Sequence, residues 1–192
     1  MRSLKPDRRS LGAAALVAAS LAYPGLVYAG RDWVPPLAFV AAALMMLALR
    51  FATLRTEEAR LWRTLLAAAA VTVALIAALD AALAVKVYPV ALSLAAAAVF
   101  GLSLRHPPSV IERIARRMEP DLPPEGQLYC RKVTLVWTVW FVINALVASA
   151  LALAGRDELW ALWTGLLAYA VMGLLFGGEM IVRRRARRPA VA

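Results

Sequence analysis

Residues 131–156 read RKVTLVWTVWFVINALVASALALAGR. Two cations open the stretch, and then 22 consecutive residues, 133–154, carry no charge. About 20 apolar residues in a helix cross the ~30 Å hydrocarbon core of a bilayer, so the segment is long enough to span one. Val, Leu and Ala dominate without strict alternation, which fits a helix and not the two-residue period of a barrel strand. Backbone groups in lipid must also pair within their own segment, which a helix achieves.

Five further stretches of this kind flank it, at about 11–29, 33–49, 61–85, 87–104 and 159–181. The sequence therefore predicts an all-α, polytopic membrane protein of six transmembrane helices, with residues 1–192 as a single membrane domain. Composition agrees. Of the 192 residues 62% are hydrophobic, mean hydropathy is +0.69, and a soluble domain is about 45–50% apolar. The net charge of +10 would point to nucleic acid in a soluble protein. Here the cations sit in short segments between apolar runs, so nucleic acid is not an expected partner. They read instead as topology signals and as attraction to anionic inner-leaflet lipid.

Their distribution is uneven. Arg2, Lys5, Arg8 and Arg9 precede the first span, and Arg50, Arg55, Arg60 and Arg63 follow the second. Arg105, Arg113, Arg116, Arg117, Arg131 and Lys132 follow the fourth, and Arg183, Arg184, Arg185, Arg187 and Arg188 follow the sixth. Nineteen of the 22 Lys and Arg thus share one side, against Arg31, Lys86 and Arg156 on the other. The positive-inside rule places both termini in the cytoplasm, and an even number of spans agrees. The expected location is the bacterial inner membrane. Trp33, Tyr88, Trp160 and Trp163 fall at the expected outer interface, and Trp62, Tyr129 and Trp137 near the inner one, as aromatic belts. Thr56 with Glu57 and Glu58 forms a capping pattern for the third helix. In the first span, Val27-Tyr28-Ala29 before Gly30 resembles a signal cleavage site. The length of the apolar run and Pro24, taken as the one proline interior to a span, favour an uncleaved helix.

The longest loop, 105–132, contains Ser109-Val-Ile-Glu-Arg-Ile-Ala-Arg-Arg-Met118. Val110, Ile111, Ile114 and Met118 share one helical face, with Glu112, Arg113, Arg116 and Arg117 on the other. Ser109 and Glu112 make a capping box. The expectation is a short amphipathic helix, 109–118, at the inner interface, or else a simple tether. Pro120, Pro123 and Pro124 end it.

Polar groups within the spans are the default functional candidates, because burying them in lipid is costly. They are Asp80, placed in the third span and about 9 Å inside Lys86 at 1.5 Å per residue, Asn144 mid-way along the fifth, and Glu179 at the inner end of the sixth. Asp80 could instead be hydrated or paired with Lys86 or Arg31, Asn144 could bond a neighbouring helix, and Glu179 could pair with Arg183. No two acids share a span, which argues against a proton relay or paired-carboxylate catalysis. Gly173 and Gly177 form a small-xxx-small stripe, read first as packing within the chain. Lone Cys130 and distant His106 give no metal or thiol site. No P-loop, zinc-protease, nucleophile-elbow or dinucleotide pattern occurs, so neither an enzyme active site nor a cofactor is expected.

The order His106-Pro-Pro-Ser-Val-Ile-Glu-Arg113, Leu122-Pro123, Tyr129-Cys-Arg-Lys-Val-Thr134, Trp137, Trp140-Phe141, Asn144 and Phe176-Gly-Gly-Glu179 with Arg183 resembles a family of small uncharacterised bacterial inner-membrane proteins. Some of these are encoded beside aryl-polyene (xanthomonadin-type) pigment genes. More distantly, residues 105–183 resemble intracellular septation protein A. The Tyr-Cys-Arg-Lys-Val-Thr wording and the Gly-Gly-Glu ending depart from that relative. The resemblance implies a non-enzymatic accessory or scaffold role in envelope or polyene-lipid synthesis, through lipid and a protein partner. Arg113, Arg116, Arg117, Arg131 and Lys132 would be its cytoplasmic working surface. The alternative is a small transporter or flippase-like carrier of a lipidic substrate, with Asp80 and Asn144 lining a path.

Overall fold

A computed structural model describes residues 8–54 and 60–186, without the side chains of 8–11, 13, 14 and 184–186. Thr56, Glu57 and Glu58, expected to cap the third helix, lie outside the described residues. Eight α-helices succeed one another: α1 (Arg8–Gly30), α2 (Pro36–Thr53), α3 (Arg60–Leu79), α4 (Ala81–Arg105), α5 (Val110–Arg116), α6 (Pro124–Leu153), α7 (Asp157–Leu162) and α8 (Ala168–Ala186). A π-helical turn, Trp163–Leu167, joins α7 to α8. No strand occurs among the described residues.

Five segments are long and apolar enough to cross a membrane: α2, α3, α4, α6 and the run Asp157–Arg183. Their outward faces carry Leu75, Leu94, Val139, Leu146 and Leu174, each about half exposed or more. A soluble protein rarely leaves so much contiguous apolar surface uncovered, and the chain is accordingly a membrane-embedded one. The expected first span is not among the five. Among the described residues the apolar stretch of α1 runs Ala15–Gly30, shorter than the other five.

Two boundaries move for identifiable reasons. The third and fourth helices meet at Asp80 rather than at Lys86. Asp80 is extended (φ −149°, ψ 101°) and its carboxylate accepts a hydrogen bond from the Leu83 backbone N–H at 3.0 Å, which starts α4 at Ala81. Lys86 therefore lies within α4. The fifth expected span gains nine residues at its start, since Pro124 at the first helical position and Glu125 in the first turn open α6 well before Val133.

Helix α4 is the central element. Half of its apolar window is buried, against 17–22% in the other four, and it packs on α2, α3 and α6. Ala84, Val85 and Tyr88 of α4 meet Tyr23, Ala43, Leu47, Val73 and Trp160 in the main core. Tyr88 and Trp160, expected in an interfacial belt, are each 1% exposed. Starting α4 at Ala81 puts Tyr88 two turns inside the helix, and α7 folds Trp160 onto α1.

Pro89, too, becomes interior to α4. A proline has no N–H for the carbonyl four residues earlier. That carbonyl, of Val85, accepts instead from the Tyr23 hydroxyl at 3.1 Å. Tyr23 and Tyr88 meet edge to face at 5.0 Å, so the proline site becomes the joint between α1 and α4.

The ends of the bundle separate the charges. At one end Lys86 bonds Asp157, Tyr28 donates to Glu158 at 3.2 Å, and Arg31 lies over the Tyr28 ring. The opposite end carries the ends of α2 and α4, all of α5 and the start of α6. There Arg63 stacks on Phe51 at 4.5 Å.

Candidate functional site

At the basic end the chain turns through His106–Ser109 into α5. Ser109 accepts from the Glu112 N–H and Glu112 bonds back to the Ser109 N–H, completing the capping box. Two bonds hold this helix to its neighbours: Val110 N–H to Ser103 Oγ at 3.1 Å and Ile111 N–H to Thr134 Oγ1 at 3.4 Å. Glu112 does not occupy a solvent face as expected; it is buried. Burial is tolerated because Arg116 donates from Nε and Nη2 to its Oε1 at 3.0 and 2.8 Å.

Beyond α5, a cleft of about 670 Å³ opens between α5 with its 117–123 connection, the first half of α6, and α8. Its walls include Phe100, Ile111, Ile114, Trp137, Phe141 and Phe176. The rings of Phe100 and Phe141 meet edge to face at 5.3 Å, and Trp137 leans on Phe141 at 5.8 Å. The space exists because α8 packs closely only on the π turn that precedes it. A π turn adds a residue to the helical repeat and so redirects the helix beyond it. Among the described residues one polar tie crosses from α6 to α8: the Tyr129 hydroxyl donates to the Glu179 carbonyl at 3.3 Å and to its carboxylate at 3.4 Å.

The polar lining consists of Glu119, Glu125, Tyr129, Glu179 and Arg183. Of the expected working surface, none of the five basic residues lines the cleft. Arg116 is committed to Glu112. Arg113 is half-buried on α5, and Arg117 forms the C-terminal end of that helix. Arg131 and Lys132 are exposed on α6, and among the described residues neither forms an ion pair. Glu179 is drawn to Tyr129 rather than to Arg183. In the sequence Arg183 reads as a topology signal and as a partner for Glu179, and its place in the cleft depends on the course of α8, which no local pattern specifies.

The other intramembrane candidates are structural joints. Asn144 donates to Ser93 Oγ at 2.8 Å and accepts from Trp163 Nε1 at 2.9 Å. It thereby ties α4, α6 and the π turn. Asp80 is exposed at the break between α3 and α4. A polar joint missed from sequence is Arg50, whose Nη2 donates to Ser20 Oγ at 2.9 Å, with Ser20 3.0 Å from the Tyr88 hydroxyl. Buried Cys130 forms no disulfide. Among the described residues no His, Cys, Asp and Glu cluster could hold a metal ion. Comparison of the chain with protein-family models, curated proteins and solved structures finds no match.

Proposed function

We propose that this is a multi-pass inner-membrane accessory protein that holds an amphiphile, or the apolar anchor of a protein partner, at its cytoplasmic face. The observation that carries the reading is the cleft itself: about 670 Å³, walled by aromatic and aliphatic side chains, with its polar groups gathered at the basic end. Its volume lies within the roughly 300–1,000 Å³ usual for ligand sites, and a few convergent polar groups on apolar walls are their common form. The positive-inside rule assigns that end to the cytoplasm and makes α1 the sixth crossing. Exposed Arg131 and Lys132 add attraction to anionic inner-leaflet lipid, about 1 kcal/mol each near the surface. The order of residues over 105–183 supports a place in envelope or polyene-lipid synthesis. A carrier of a lipidic substrate is the second reading, and it ranks lower because Asn144 and Asp80 are each satisfied within the fold.

A photo-crosslinking residue in place of Trp137, in native membranes, tests this. A control replaces Leu146, which faces outward and is 65% exposed. Position 137 should yield a discrete adduct that position 146 does not. Identical bulk-lipid patterns at both positions would refute it.

A further inference from the structure

The mouth of the cleft carries a specific pattern of charge. Glu125 and Tyr129 lie one turn apart on α6, and Glu179 and Arg183 one turn apart on α8, so each pair shares a helix face. The Tyr129–Glu179 hydrogen bonds bring the two faces together. The helices run in opposite directions there, so Glu125 and Arg183 both lie one turn further toward the basic end, on opposite walls of the cleft. All four line it. Among the described residues neither Glu125 nor Arg183 forms an ion pair. A carboxylate on α6 and a guanidinium on α8 thus line one apolar slot near its basic end, with no ion pair between them among the described residues.

We infer that the cleft takes one acyl chain of an ethanolamine phospholipid, with its phosphate on Arg183 and its ammonium on Glu125. This rests on the amphiphile-holding reading above and names its ligand class. The guanidinium fork matches phosphate oxygens in bidentate fashion. A primary ammonium donates hydrogen bonds to a carboxylate, which a choline headgroup cannot do. An anionic headgroup is disfavoured, because the lining acids Glu125 and Glu179 outnumber Arg183. The second acyl chain stays in the surrounding bilayer.

The test uses full-length protein reconstituted in phosphatidylcholine vesicles, doped with phosphatidylethanolamine, phosphatidylglycerol or phosphatidylcholine brominated on one acyl chain. Bromine quenches nearby tryptophan, and subtracting the Trp137→Phe signal isolates the cleft. Half-maximal quenching of Trp137 should need an ethanolamine-lipid mole fraction about fivefold lower than for either other lipid, as one or two exposed charge pairs would give. Arg183→Gln and Glu125→Gln should each cut that preference to about twofold or less; Glu125 is exposed and Arg183 part-exposed, so both changes leave folding intact. Equal quenching by all three lipids, a preference for phosphatidylglycerol, or full preference in Glu125→Gln would overturn the headgroup assignment and leave the cleft as a lipid site. Absence of Trp137-specific quenching by every brominated chain would overturn the amphiphile reading beneath it.

Discussion

Replacing Asn144 with Leu isolates the polar joint that sets the course of the last third of the chain. The side chain makes two interhelical hydrogen bonds, to Ser93 and from Trp163. Such bonds between membrane helices average about 0.6 kcal/mol each. Leucine also leaves the Trp163 indole N–H without its acceptor, which costs about 1–2 kcal/mol when buried. Added apolar contact from the half-buried leucine returns about 1 kcal/mol. The expected net loss is about 1–2 kcal/mol. Unfolding by SDS in mixed micelles measures it. Trp163→Phe removes the orphaned donor, so the double variant should be about 1 kcal/mol more stable than additivity predicts. Additive losses, or an Asn144→Leu variant as stable as the parent, would refute the joint.

The packing sets two further outcomes. Tyr23→Phe should cost about 1–2 kcal/mol by the same assay, and much less in a Pro89→Ala background, where the restored N–H takes the Val85 carbonyl that Tyr23 now serves. Gly101→Val should destabilise by about 1–3 kcal/mol, because a Cβ there already meets Thr138 Cγ2 at 3.2 Å where α4 crosses α6. Gly173→Ala and Gly177→Ala, with nothing within 4 Å, should be neutral or stabilising by up to about 1 kcal/mol, the helix-propensity gain.

Those glycines show where sequence reading reaches its limit. Their spacing suggests packing within the chain, yet α8 leaves the bundle and the stripe meets nothing. A small-residue spacing says that helices can approach, not that a partner is present. By contrast, helical class and charge segregation were legible, because both depend on uninterrupted apolar length and on charge between runs. The capping box at Ser109 and Glu112 was legible too, being local. The depth of polar residues was not. Lys86 marks a charge, and hydropathy places the turn there, but the turn needs a helix cap and Asp80 provides it. Glu112 looks solvated in the sequence, but Arg116, one turn on, neutralises it and lets it be buried. The cleft was hidden because it depends on a π turn five residues long and on the departure of α8. Both are tertiary outcomes with no signature in composition or periodicity.

The role proposed for the cleft requires that it open on the cytoplasmic side of a bundle that crosses the membrane. Cysteine labelling tests it in a Cys130→Ser background, with single Met118→Cys at the lip of the cleft and single Arg156→Cys at the opposite end. A membrane-impermeant maleimide should label position 156 in intact spheroplasts and position 118 only in inverted vesicles. Labelling of position 118 in intact spheroplasts, or of both positions from one side, would contradict a cytoplasmic cleft.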